Sequence, residues 1–103
     1  MGKLSLDELL NSNSVTTRAS VFSKSNKPNE ENINKALDDK EVIIRYMAIK
    51  HKNATEANIN KALDNSNLGI KITAMRHKNA TKANIEKAML DPELKNEIQD
   101  LKM

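Results

Sequence analysis

The sequence predicts an all-α chain built of four stacked helical hairpins, and three observations carry that prediction. A block of residues recurs at a fixed spacing, the apolar residues inside each block fall at helical intervals, and short polar residues stand where each helix must begin. A shift of 26 carries His51-Lys52-Asn53-Ala54-Thr55 onto His77-Lys78-Asn79-Ala80-Thr81. The match continues, Ala57-Asn58-Ile59-Asn60-Lys61-Ala62 against Ala83-Asn84-Ile85-Glu86-Lys87-Ala88. One block upstream, Asn32-Ile33-Asn34-Lys35-Ala36-Leu37-Asp38 matches Asn58 to Asp64. A shift of 27 brings Leu6, Leu9, Leu10, Val15, Arg18 and Phe22 under Ile33, Ala36, Leu37, Val42, Arg45 and Ile49. Four units result, at about 3–24, 25–50, 51–76 and 77–103, in one domain.

Each unit holds two apolar patterns. Ile33, Ala36 and Leu37 have the i, i+3, i+4 spacing of one helical face, as do Ile59, Ala62 and Leu63, then Ile85, Ala88 and Met89. Val42, Tyr46 and Ile49, with Ala48 beside them, run i, i+4, i+7, and Leu68, Ile72 and Met75 repeat this with Ala74. Polar residues 38–41 and 64–67 separate the patterns and predict a tight turn. Ser5-Leu6-Asp7-Glu8 is a capping box, and Thr55, Thr81 and Asn29 stand as N-caps of later first helices. That role explains the two Asn-x-Thr sequences better than glycosylation does. Asn26, Asn53 and Asn79 are expected to bond loop backbone. Helices this short are marginal alone, so each hairpin must bury its apolar face on the next.

With the repeat in view, His-Lys-Asn-Ala-Thr-x-Ala-Asn-Ile-x-Lys-Ala resembles the His-Pro-Asn-Ala-Thr-Pro-Glu-x-Ile-x-Lys-Ala-Leu repeat of HEAT-like and variant leucine-rich α-helical repeat proteins of bacteria and bacteriophages. The likeness covers positions of about 25–90. It departs at Lys52 and Lys78, and at Glu56 and Lys82, where that pattern often has proline. The resemblance implies a short right-handed α-solenoid of four helical-hairpin repeats, with a period of about 26 and a binding role, and names no partner. Abundant asparagine and lysine also resemble proteins of AT-rich genomes, which suggests a phage source. In the last unit Glu97 falls in the Arg45 column and Asp100 in the Ala48 column, while the first has Thr16, Thr17 and Ser20 at core positions. Both end units therefore read as polar caps that close the array.

Composition excludes several chemistries. The 103 residues include no cysteine, so disulfides, thiolate zinc sites and cysteine nucleophiles are out. Phe22 and Tyr46 are the only aromatic residues, too few for base-stacking platforms. Two glycines form no phosphate loop. His51 and His77 occupy one repeated position, so stacking sets them roughly 10 Å apart, too far to share a metal. They read instead as helix ends bonding the last carbonyls. Asp38 and Asp39 share a turn that Asp64 and Asn65 repeat, which suggests a turn role rather than acid–base work. No enzyme, cofactor or metal is expected. Without a leading apolar stretch or a membrane-length apolar run, a cytoplasmic protein is expected, in the host cytoplasm if phage-encoded.

Charge is the remaining signal. The formal net charge is +3, but residues 42–89 carry nine basic against three acidic side chains, or +6, leaving −3 elsewhere. Repetition turns these cations into columns: Lys35, Lys61 and Lys87; Arg18, Arg45 and Lys71; Lys50 and Arg76; Lys52 and Lys78. The first column is read as solvated helix face, and the second as pairing with turn acids such as Asp38. The candidate partner-binding residues are Arg45, Lys50, His51, Lys52, Lys71, Arg76, His77 and Lys78. The function this predicts is a non-enzymatic module binding an acidic protein surface, as a monomer or small homo-oligomer. The alternative is phosphate-backbone binding to nucleic acid without base readout.

Overall fold

A computed structural model describes residues 4–97, which are helical and contain no strand. Seven α-helices follow in order: α1 (Leu6–Leu10), α2 (Val15–Ala19), α3 (Glu30–Ala36), α4 (Val42–Lys50), α5 (Glu56–Ala62), α6 (Leu68–Met75) and α7 (Lys82–Met89). A 3-10 turn, Ser20–Phe22, extends α2. Residues 95–97 begin a further helical segment. The molecule measures 52 × 21 × 17 Å with a radius of gyration of 14.3 Å. A globular chain of this length has a radius of about 13 Å, so the molecule is elongated along one axis.

The starts obey local chemistry. Glu8 N–H donates to Ser5 Oγ at 3.1 Å while Ser5 N–H donates to Glu8 Oε1 at 2.8 Å, closing the box on α1. Asn29, Thr55 and Thr81 cap α3, α5 and α7, each answered by an asparagine three residues on: Asn32, Asn58 and Asn84. The Asn side chain substitutes for glutamate in the reciprocal bond. α2 is short because Thr16, Thr17 and Ser20 compete with the helix, and Ser20 Oγ bonds the Thr17 carbonyl at 2.6 Å.

The first helices bury the predicted residues Ile33, Ala36, Leu37, Ile59, Ala62, Leu63 and Ala88, but Met89, expected on the same face, is exposed at the end of α7. The second helices differ from expectation. Val42, Tyr46 and Leu68 are exposed, and the buried sets are Ile44, Ala48 and Ile49 on α4, and Ile70, Ala74 and Met75 on α6. On a helical wheel, Ile44, Ala48 and Ile49 span a sector of about 140° with position 45 inside it. The i, i+4, i+7 reading was therefore right for Ala48, Ile49, Ala74 and Met75 and wrong for Val42, Tyr46 and Leu68. At the head of the basic column, Arg18 is 4% exposed. Val15, Val42 and Leu68 line the outer side at 38–43% exposure. At the last turn Leu94 takes the next place in that column but is fully buried.

Candidate partner-binding surface

Most of the repeated motif works between successive blocks. Asn53 Nδ2 donates to the Pro28 carbonyl at 3.0 Å, and Asn79 Nδ2 to the carbonyls of Lys52 and Ala54 at 2.9 and 2.8 Å. Asn58 and Asn84, buried to within 1–2% exposure, donate to the carbonyls of Glu30 and Glu56. The hydroxyls of Thr55 and Thr81 donate to the Glu30 and Glu56 carboxylates. Asn26 stays within its own loop, on the Ser20 carbonyl.

The lysine column is not simply solvated. Lys61 reaches back to Asp38 at 2.6 Å and the Asn34 carbonyl at 3.2 Å; Lys87 repeats this on Asp64 and the Asn60 carbonyl, and Lys35 donates to the side-chain oxygens of Asp7 and Asn11. These columns staple each first helix to the one before.

The arginine column also turns inward, as the turn-acid reading anticipated, though on Asp39 rather than Asp38. Arg18 donates to both oxygens of Asp39 at 2.8 and 3.2 Å and to the Ser12 carbonyl at 2.9 Å. Lys71, included in the predicted basic surface, instead holds Asp91 and Glu93, both at 2.7 Å, with its side chain only 12% exposed. Those bonds, Asp91's first, raise its pKa, and the same contact depresses that of Asp91. Arg45 is half-buried, and its Nε is the one side-chain nitrogen or oxygen among the described residues that is buried without a partner. Neither Lys71 nor Arg45 lines the clefts described below.

The histidines hold loops rather than the last helix carbonyls. His51 Nδ1 accepts from Asn53 N–H, and His77 Nδ1 from Asn79 N–H, both at 3.0 Å. An accepting Nδ1 carries no proton, so the proton of neutral His77 is on Nε2. That Nε2 donates to the His51 carbonyl at 2.8 Å. The His51 ring meets Phe22 at 6.1 Å between centroids, tilted by 57°. Burial, then the charges of Lys52 and His77, lower the His51 pKa. Among the described residues, no three His, Asp or Glu side chains converge to hold a metal.

Six other cations gather on one edge, at the C-terminal ends of the second helices, while Lys40, Lys82 and Lys95 line none of its clefts. A cleft of 640 Å³ is lined by Phe22, Lys24, Asn26, Lys27, His51, Lys52 and Asn53. One block on, a cleft of 560 Å³ is lined by Lys50, Lys52, Ile72, Thr73, Arg76, His77 and Lys78. A more apolar hollow of 460 Å³, formed by Phe22, Ile43, Tyr46, Met47, Lys50 and His51, shares residues with both. Among the described residues, six cations and no carboxylate line this run. Arg76 has an ion pair, with Glu97 at 2.9 Å. Lys50 Nζ lies 5.7 Å from the Tyr46 ring centroid.

The structure thus brings Lys50, His51, Lys52, Arg76, His77 and Lys78 together. Sequence reasoning missed Lys24 and Lys27. The helices of the first two units are related by a shift of 27, but their loops by 26, as the equivalent carbonyls of Pro28 and Ala54 show. Lys24 follows the helix-end residue Ser23 as Lys52 follows His51, each end bonding three residues back, so it falls with Lys52 and Lys78. Among the described residues no helix is long and apolar enough to cross a membrane. Comparison with protein-family models, curated proteins and solved structures finds no match for the chain.

Proposed function

We propose that the chain is a short α-solenoid of the HEAT-like kind, acting as a non-enzymatic binding module for a protein with an acidic surface. Bonds recurring across 25–28 residues support the solenoid reading, because each ties a block to its predecessor through the same side chains. One observation carries the functional reading: the contiguous clefts combine six cations with exposed apolar side chains, and the carboxylate found against them among the described residues, Glu97, is bound by Arg76. Ile43 is 50% and Tyr46 36% exposed in their midst. That mixture suits a protein segment, which offers carboxylates and apolar side chains together, better than a phosphate backbone.

The test is a pair of titrations at physiological salt, followed by amide chemical shifts. One uses a glutamate-rich peptide containing leucine, the other a short DNA duplex. The reading expects the peptide to bind with shifts at Lys24, Lys50, Lys52, Arg76 and Lys78. Tighter binding of the duplex, weakening steeply as salt rises, would assign the surface to nucleic acid instead.

A further inference from the structure

We infer that Arg45 and Asn65 form an anion site that takes one carboxylate from a ligand. Neither residue lines the basic clefts, so the site is independent of the acidic-partner reading above.

Three turns share one plan beside the cation column. In the first, Asp39 Oδ1 accepts from Glu41 N–H at 2.9 Å, and its Oδ2 accepts from Arg18 Nε at 2.8 Å. In the last, Asp91 Oδ1 accepts from Glu93 N–H at 2.9 Å, and its Oδ2 accepts from Lys71 Nζ at 2.7 Å. One carboxylate oxygen holds the turn and the other holds the cation. The middle turn stands in the same register to Arg45, and there both acids are replaced. Asn65 and Asn67 occupy the places of Asp39 and Glu41, and of Asp91 and Glu93.

Asn65 keeps half of the plan. Its Oδ1 accepts from Asn67 N–H at 2.9 Å, which leaves Nδ2 in the position of the second carboxylate oxygen. That nitrogen only donates, as does the Arg45 guanidinium, and the Arg45 Nε is buried without a partner. Asn67 Oδ1 is occupied by the Ile70 N–H at 3.1 Å, and Asp64 by Lys87 at 2.9 Å. Among the described residues no carboxylate pairs with Arg45. A buried donor in this position calls for an acceptor from outside the chain. A carboxylate oxygen accepts from both donors and brings the charge that Asp39 gives Arg18, in the two-oxygen geometry a guanidinium prefers. Arg45 and Asn65 are both half-buried rather than enclosed, so the site is open to a ligand from solvent.

The Arg45 Nε–H resonance reads this site directly, and its loss in R45M assigns it. Sodium acetate, sodium phosphate and the glutamate-rich peptide are titrated separately into the intact chain, with ionic strength held by sodium chloride. Acetate should move the signal saturably, with a Kd on the order of 10 mM. In N65D the internal carboxylate fills the place, so acetate should bind at least about tenfold more weakly. Tighter binding of the peptide than of acetate at this signal would identify a protein side chain as the source; tighter binding of acetate would identify a free acid. Saturation by phosphate alone would overturn the carboxylate assignment. A signal that acetate and chloride move alike, or acetate binding undiminished in N65D, would overturn the site.

Discussion

Replacing Asn65 by aspartate should stabilise this protein, because Arg45 lacks the carboxylate that its column expects. Arg18 has Asp39, 21 residues on, and Lys71 has Asp91, 20 residues on. Asn65 holds the equivalent place after Arg45, and the Arg45 Nε is buried without a partner. An unsatisfied buried donor costs about 1–3 kcal/mol, and a bond to a charged group contributes about 1.5–3 kcal/mol. Arg45 is less buried than Arg18, so the lower part of that range applies, a gain of about 1–2 kcal/mol. For a domain of this size that raises Tm by roughly 5–10 °C. The turn tolerates the change: Asp39 accepts from Glu41 N–H as Asn65 accepts from Asn67 N–H, both at 2.9 Å, and Asp38 already sits beside Asp39 as Asp64 would beside the new aspartate. Thermal and urea unfolding of N65D, R45M and the double variant at neutral pH form the cycle. A gain that persists in the R45M background, or no gain at all, would refute the reasoning.

Three further outcomes follow. Asn84→Ala removes the reciprocal cap on Thr81 and strands the Glu56 carbonyl. Urea unfolding should therefore show a loss of about 2–3 kcal/mol. Asn60 is exposed, and its replacement by alanine should leave the urea midpoint nearly unchanged. Equal losses in the two variants would remove the special role of Asn84. His51 has a lowered pKa, so the folded state binds fewer protons than the unfolded chain. Stability should fall as pH drops below the ordinary histidine value of about 6.5 and level off beneath the folded value. Urea midpoints at pH 8 and pH 5 should differ less in His51→Gln; an unchanged difference contradicts this. Lys61→Ala should lose under about 1 kcal/mol of stability, its pair with Asp38 being partly exposed, yet keep acidic-peptide affinity. Lys52→Ala should do the reverse, and calorimetric titration beside urea unfolding would expose any exchange of these roles.

Helix content was legible in the sequence because it rests on local rules: spacing within one face, caps at Ser5, Asn29, Thr55 and Thr81, and polar turns. What escaped depends on neighbours. The recurrence of Asn58 and Asn84 was visible, but their bonds to the Glu30 and Glu56 carbonyls exist only once adjacent first helices pack. Lys61 and Lys87 read as solvated because their partners, Asp38 and Asp64, lie 23 residues back. A column of lysines beside a column of aspartates was the available signal. On α4, Val42 and Tyr46 are as apolar as Ile44 and Ile49, so periodicity could not choose the face. The inward arginine column could have, since a repeated arginine flanked by apolar residues and matched to a repeated turn acid marks a buried pair. Lys24 was hidden because its loop, residues 23–29, is two residues longer than the loop 51–55.

The central claim is that the cations lining the clefts at the ends of the second helices form the working surface. It is tested most directly by a triple charge reversal, K50E/K52E/K78E, which leaves Arg76 on Glu97 and touches none of the bonds between blocks made by Asn, Thr or Lys61 side chains. Amide-shift titration of this variant with the glutamate-rich peptide should show no binding, while its circular dichroism and urea midpoint match those of the native chain. Undiminished peptide affinity in the reversed protein would contradict the account.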